Sequence, residues 1–182
     1  MKFIKTKILD VYIIDPTVFG DKRGYFLESF NLEEFEENVC PIKFVQDNES
    51  KSSKGVLRGL HFQKPPYAQA KLVRCIEGRV MDVTVDIRKK SPTYGKHLAI
   101  ELSGENKRQL FVPKGFAHGF AVLTESAVFS YKVDNRYAPE YEAGIRWDDP
   151  TLNLNWSVNK NEALVSIKDS KLPFFSELET PF

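Results

Sequence analysis

Apolar residues in this chain recur mostly in short runs of about four to eight, broken by Gly, Pro and charged positions. That pattern predicts strands over 7–14 (KILDVYII), 24–30 (GYFLESF), 43–48, 55–63, 70–76 and 79–88. Further strands are expected at 97–103, 108–112, 117–123 and 127–134. Glu77-Gly78 separates two of these runs and reads as a hairpin turn, because Gly supplies the positive φ a tight turn needs. One segment has helical character. Asn31 can cap it, Glu34 completes a capping box, and Leu32, Phe35 and Val39 share a face before Pro41 stops it. Asp148-Asp149-Pro150 marks a turn, and Pro173 limits regular structure in the tail. Many short strands with few short helices imply a mainly β fold, a sandwich or barrel.

The chain has 182 residues, enough for one domain spanning 1–182, and it shows no repeat, linker or low-complexity tract. Aromatic content of 13%, with 14 Phe, reinforces the strand reading. The net charge of +1 argues against nucleic acid or a membrane surface as partner, so an anionic ligand must be held by a local cluster of Lys and Arg. Cys40 and Cys75 are the only cysteines and cannot make a disulfide framework. Lys5, Lys7 and Asp10 interrupt the N-terminal apolar run, and no stretch approaches the length of a membrane span. A cytoplasmic location is expected.

Two glycine-punctuated segments carry the candidate chemistry. In GVLRGLHFQ (55–63), His61 lies between apolar neighbours with Arg58 three residues before it; Lys71 and Arg74 follow on the next strand. In PKGFAHGF (113–120), Pro113, Gly115 and Gly119 bracket His118. A lone strand histidine is more often a packed core residue; the neighbouring cations raise the odds of function. These segments resemble the two motifs of the cupin barrel, with Gly55, His61, Pro113, Gly115 and His118 in place. Gln63 replaces the second histidine of the first motif. Since Gln is a poor transition-metal ligand, no metal is expected and acid–base side chains must do the work.

Over nearly its whole length the chain resembles the dTDP-4-dehydrorhamnose 3,5-epimerase family. The resemblance is carried by GDKRGYFLESF (20–30), VQDNES (45–50), GVLRGLHFQ, AKLVRCIEG (70–78), DVTVDIR (82–88), PTYGK (92–96), ENKRQLFVPKGFAHGF (105–120), YKV (131–133) and PEYEAGIRWDDP (139–150). It implies a cupin-type jelly-roll barrel acting as a homodimer, without cofactor. The implied reaction converts dTDP-4-dehydro-6-deoxy-D-glucose to dTDP-4-dehydro-L-rhamnose. By resemblance, His61 is the general base, Asp169 its carboxylate partner, Tyr131 the proton donor and Lys71 a cation near the developing enolate oxygen. Arg23 and Arg58 match diphosphate ligands, and Glu28, Gln46, Asp47 and Asn48 match positions lining the nucleotide site. His118, Glu142 and Lys168 match substrate contacts, and Tyr137 is a candidate to stack on the thymine. A single-carbon epimerase of a related 4-keto-6-deoxyhexose uses the same base and acid and stays open. So do two other classes, a metal-dependent cupin and a non-catalytic nucleotide-sugar binder.

One conflict arises within the strand. Side chains alternate, so Arg58 and His61, three apart, should face opposite ways. Gly59 between them offers a bulge that re-aims the residues after it, and a bulge is therefore expected between 58 and 61.

Overall fold

Two β-sheets packed face to face, with a helix outside one and the C-terminal tail outside the other, make up the computed structural model, which describes residues 1–182. The strands are β1 (Lys2–Lys5), β2 (Tyr12–Asp15), β3 (Val18–Asp21), β4 (Gly24–Leu27), β5 (Gln46–Ser53), β6 (Val56–Gln63) and β7 (Lys71–Glu77). They continue with β8 (Arg79–Asp86), β9 (His97–Ser103), β10 (Gln109–Val112), β11 (Phe116–Val122), β12 (Ser126–Val133), β13 (Glu142–Gly144) and β14 (Leu164–Val165). One sheet runs β1-β2-β10-β7-β12-β5; the other runs β13-β6-β11-β8-β9, with β14 added in parallel to β6. β3 and β4 form a separate hairpin.

The layers follow from where apolar side chains point. Between the sheets lie Val73, Cys75, Val80, Leu102, Phe116, Phe120, Val122 and Phe129. On the outer face of the second sheet, Leu57, Val83, Val85, Ala117 and Ala121 pack under Ile145, Leu152, Leu154 and Trp156 of the tail. β11 is buried on both faces, so it reads as a continuous apolar run rather than an alternating one. Its alternation survives in size. Phe116, His118, Phe120 and Val122 fill the inter-sheet space, while Ala117, Gly119 and Ala121 are small enough for the tail to lie close. The helix α1 (Leu32–Asn38) is capped by Asn31, whose side chain accepts the Glu34 N–H, and Phe35 anchors it on Leu72 and Phe111.

Several sequence expectations need correction. The run 7–14 is not one strand: β1 and β2 pair antiparallel, and the chain reverses between them, with Asp10 at φ 68. Its apolar residues are shared between a turn and β2, which periodicity alone does not separate. The strand expected at 24–30 ends at Leu27. The strand begun near 43 instead starts at Gln46 and continues through the polar segment to Ser53. β5 has no apolar alternation; its full-length ladder with β12 makes it a strand, and Asp47, Glu49 and Lys51 point outward from this edge. Finally, Gly78 does not close a hairpin. β7 pairs with β10 and β12, whereas β8 pairs with β9 and β11, so the chain crosses from one sheet to the other at Gly78.

That crossing needs glycine for two reasons. Gly78 has φ +74, and a Cβ there would lie 2.2 Å from the Ser126 carbonyl oxygen. Gly78→Ala is expected to lower the free energy of unfolding by about 2 kcal/mol or more in urea titration. A loss below about 0.5 kcal/mol would show that the corner tolerates a side chain.

Candidate active site

The site begins with the predicted irregularity in β6. Against β11, His61 pairs with His118 but Arg58 pairs with Phe120: Gly59 and Leu60 lie between these pairs on β6 and Gly119 alone on β11, and the extra residue makes a bulge. Gly59 sits there at φ +124, and a Cβ would meet the Gly119 backbone at 2.6 Å. Val56 and Arg58 point between the sheets before the bulge. After it, Leu60 and Phe62 turn under the tail, so His61 and Gln63 point between the sheets too. The bulge puts Arg58 and His61 on one face.

The bulge also holds the carboxylate of Asp169. The Gly59 N–H donates to Asp169 Oδ2 at 3.1 Å, and His61 Nε2 lies 2.8 Å from Oδ1. Asp169 comes from a 3₁₀ turn of the tail (Asp169–Lys171), is 4% exposed, and its own N–H donates to Ser166 Oγ. Burial alone would raise its pKa. The hydrogen bond and charge of His61, with the Gly59 N–H and Ser166, hold it below the usual carboxylate range. An ionised Asp169 accepts, so in the neutral form of the ring Nε2 carries the proton and Nδ1 is the nitrogen left with a free lone pair.

The space beside His61 is a two-lobed cavity between the sheets. His61, Lys71 and Tyr131 line both lobes. The larger lobe, about 470 Å³, adds Arg58, His118, Phe129, Lys168 and Asp169; the smaller, about 290 Å³, adds Gln46, Asn48, Tyr137 and Glu142. Tyr131 lies on β12 opposite Val73 and Asn48, on the sheet facing His61. Burial raises the Tyr131 phenol pKa against the pull of Arg58, so the phenol keeps its proton near neutral pH. Lys71 shares the inward face of β7 with Val73 and Cys75. Burial pushes its ammonium down to about 8, although Asp82 and Glu142 favour the charged form. His118 is buried, with Nε2 2.9 Å from Asp82 Oδ2. At the mouth, Tyr137 Oη and Lys168 Nζ both donate to Glu142 Oε2 at 2.6 Å. No three His, Cys, Asp or Glu side chains converge in a way that could hold a metal ion.

The family model for dTDP-4-dehydrorhamnose 3,5-epimerase matches residues 5–177. The chain belongs to the dTDP-4-dehydrorhamnose 3,5-epimerase family. It is 58% identical over 170 residues to the Shigella flexneri dTDP-4-dehydrorhamnose 3,5-epimerase, covering 93% of each chain. The crystal structure of the Elizabethkingia anophelis enzyme of the same name superposes with a TM-score of 0.93 at 55% identity, covering 97% of each chain. A Legionella pneumophila dTDP-6-deoxy-D-glucose-3,5-epimerase in complex with dTDP-4-keto-L-rhamnose superposes with a TM-score of 0.94 at 46% identity, covering 98% of this chain and 94% of that one. The cupin-type sandwich read from the two histidine motifs is the fold of this family.

Three residues singled out by the family resemblance lie outside the cavity of their own chain. Asp47 points outward from β5, because alternation that turns Gln46 and Asn48 inward must turn it away, and it pairs with Lys132 at 2.9 Å. Arg23 sits on the β3–β4 hairpin, ion-paired with Asp21. Glu28 follows the hairpin and accepts from Asn31 Nδ2. Conversely, sequence reading missed Asp82. Its signal was an acidic residue beside the apolar positions of DVTVDIR, on a strand buried over most of its length. Ser52, which accepts from Arg58 Nε at 3.1 Å, and Ser166 carried no signal at all.

Lys71 makes the pH dependence of this family member specific. Its charge is half lost at about 8 and disappears as pH rises through that value. If the ammonium stabilises negative charge in the reaction, kcat/KM, which follows the free enzyme, should fall along an alkaline limb centred at about 8. Lys71→Arg should shift that limb upward. A kcat/KM profile that stays flat from about pH 7 to about pH 9.5 would remove Lys71 from the chemistry.

Proposed function

We propose that residues 1–182 form one catalytic unit that epimerises C3 and C5 of dTDP-4-dehydro-6-deoxy-D-glucose, giving dTDP-4-dehydro-L-rhamnose. The observation that carries the mechanism is that a histidine tied to a buried carboxylate and a protonated tyrosine line one cavity from opposite sheets. A C4 ketone acidifies the hydrogens on both neighbouring carbons, because each carbanion delocalises into an enolate. His61 Nδ1 removes the proton, and Asp169 stabilises the imidazolium that forms. The negative charge gathers on the former ketone oxygen, where Lys71 offers a fixed cation. Tyr131 returns a proton from the other side of the ring, which inverts the centre. The imidazolium then releases its proton to solvent and the tyrosinate regains one from it, which resets both groups for the second carbon. A proton leaves and a proton returns at each centre, so the reaction balances without a redox cofactor.

Binding is assigned in the same way. Arg58 and Lys168 supply positive charge for the diphosphate, and Arg58 can do so bidentately. Gln46 and Asn48 line the nucleotide side, Tyr137 offers an aromatic face to the thymine, and His118 and Glu142 border the sugar. No helix is long and apolar enough to cross a membrane, and a charged nucleotide sugar does not cross one unaided; the reading places the enzyme in the cytoplasm.

The reading also includes a homodimer. The β3–β4 hairpin exposes Phe19, Tyr25 and Phe26 at 62%, 57% and 69%, an apolar surface that a second copy of the chain would cover. Arg23, on that hairpin, and Glu28, just beyond it, would then act in the partner's cavity. Mixing Arg23→Ala and His61→Ala proteins tests this. Subunit exchange should restore activity, since one site of each mixed dimer has both residues intact; no recovery after exchange would confine Arg23 to its own chain.

Turnover in heavy water tests the reaction itself. Deuterium should enter at both C3 and C5; label at C3 alone would mean a single-carbon epimerase. His61→Ala should reduce exchange at both carbons by about 10³-fold or more. Tyr131→Phe should leave measurable exchange with little inversion. Near-normal turnover by His61→Ala would overturn the base assignment.

A further inference from the structure

Gln63 ends β6 two residues beyond His61 and is 4% exposed. Its amide is used on three sides. Nε2 donates to the Tyr67 carbonyl at 2.6 Å and to the Arg136 carbonyl at 3.1 Å, and Oε1 accepts from the Ala138 N–H at 2.7 Å. Arg136 and Ala138 flank Tyr137 in the chain. Gln69 and Asn135 tie the start of the same loop to the 66–69 segment, through Gln69 Nε2 to Asn135 O at 2.8 Å and Asn135 Nδ2 to Pro66 O at 3.0 Å. Gln63 is the side chain that reaches both sides of Tyr137. Tyr137 itself is 52% exposed, and its phenol has one partner, Glu142, which lies opposite Gln63 in the β13–β6 ladder.

A primary amide suits this place as few side chains would. It donates twice and accepts once from one planar group; an ionised carboxylate has no proton for the two carbonyls, and a neutral imidazole has one. The position where the cupin pattern carries a metal-binding histidine has become a backbone bracket.

We propose that Gln63 is a positioning residue for substrate binding, its buried amide clamping the backbone on both sides of Tyr137 so that the ring stands ready at the cavity mouth for the nucleotide's base. This rests on the function proposed above. Without the clamp, the 134–138 loop must be ordered on binding, and that cost falls on affinity rather than on the proton transfers.

Calorimetric titration with dTDP tests the clamp, and turnover tests the chemistry separately. Gln63→Glu should weaken dTDP binding by about tenfold while kcat at saturating substrate stays within about threefold of wild type. Tyr137→Ala should weaken dTDP binding similarly. The double variant Q63E/Y137A should bind no more weakly than Tyr137→Ala alone, because both changes remove one interaction. Gln63→Met, neutral and of similar length, should behave as Gln63→Glu and serves if the charged variant does not fold. A dTDP affinity within about twofold of wild type, or losses that add in the double variant, would overturn the proposal. Because dTDP affinity needs no turnover, failure of the clamp and failure of the assigned reaction appear in different measurements.

Discussion

The site depends on the carboxylate of Asp169 held between a backbone N–H and an imidazole. One oxygen takes the Gly59 N–H, which the bulge leaves free of the β11 ladder; the other takes His61 Nε2. The same glycine therefore performs two tasks. It brings Arg58 and His61 to one face of β6, and it fastens the residue that sets the tautomer of His61. A side chain at Gly59 would strike Gly119 on the neighbouring strand, so the bulge and the close approach of β11 stand together. Asp169 arrives from the tail more than a hundred residues later, and the docking of that tail is part of building the His61–Asp169 pair.

The tail docks because the second sheet is apolar on both faces. Small residues alternate with large ones along β11, and Trp156 lies close over Gly119. Trp156, Leu154 and Leu152 cover the outer face, and the chain then runs alongside β6 as β14 to deliver Ser166, Lys168 and Asp169 to the cavity. Hydrophobic burial on one side of the sheet thus positions charged chemistry on the other.

Inside the cavity, charges are kept in groups. His118 faces Asp82, Lys168 and Tyr137 share Glu142, and Arg58 donates to Ser52. No buried side-chain nitrogen or oxygen lacks a hydrogen-bond partner. Lys71 pairs with no carboxylate directly, and burial depresses its pKa against the more distant charges of Asp82 and Glu142. A cation held so is available to a charge that forms only during reaction, which is where electrostatic catalysis gains most.

Much of this was legible in the sequence. The cap at Asn31, most of the strands, the bulge at Gly59, and His61, Lys71 and Tyr131 as candidates all follow from local patterns or from the family resemblance, because glycine, capping and strand periodicity act over a few residues. Other features waited for the tertiary structure. Gly78 looks like a hairpin turn in the sequence and is a crossing between sheets, since a turn residue states that the chain reverses but not which strand it meets next. Asp47 falls outside the cavity that holds Gln46 and Asn48, because the register of β5 on β12 decides which alternate residues face inward. The pairing of Asp82 with His118 and the Gln63 bracket emerged only in three dimensions, for local composition does not show which residues a hydrogen bond joins when they lie far apart in sequence. Short-range sterics and periodicity belong to the sequence; the pairing of distant segments, which creates the site's electrostatics, belongs to the fold.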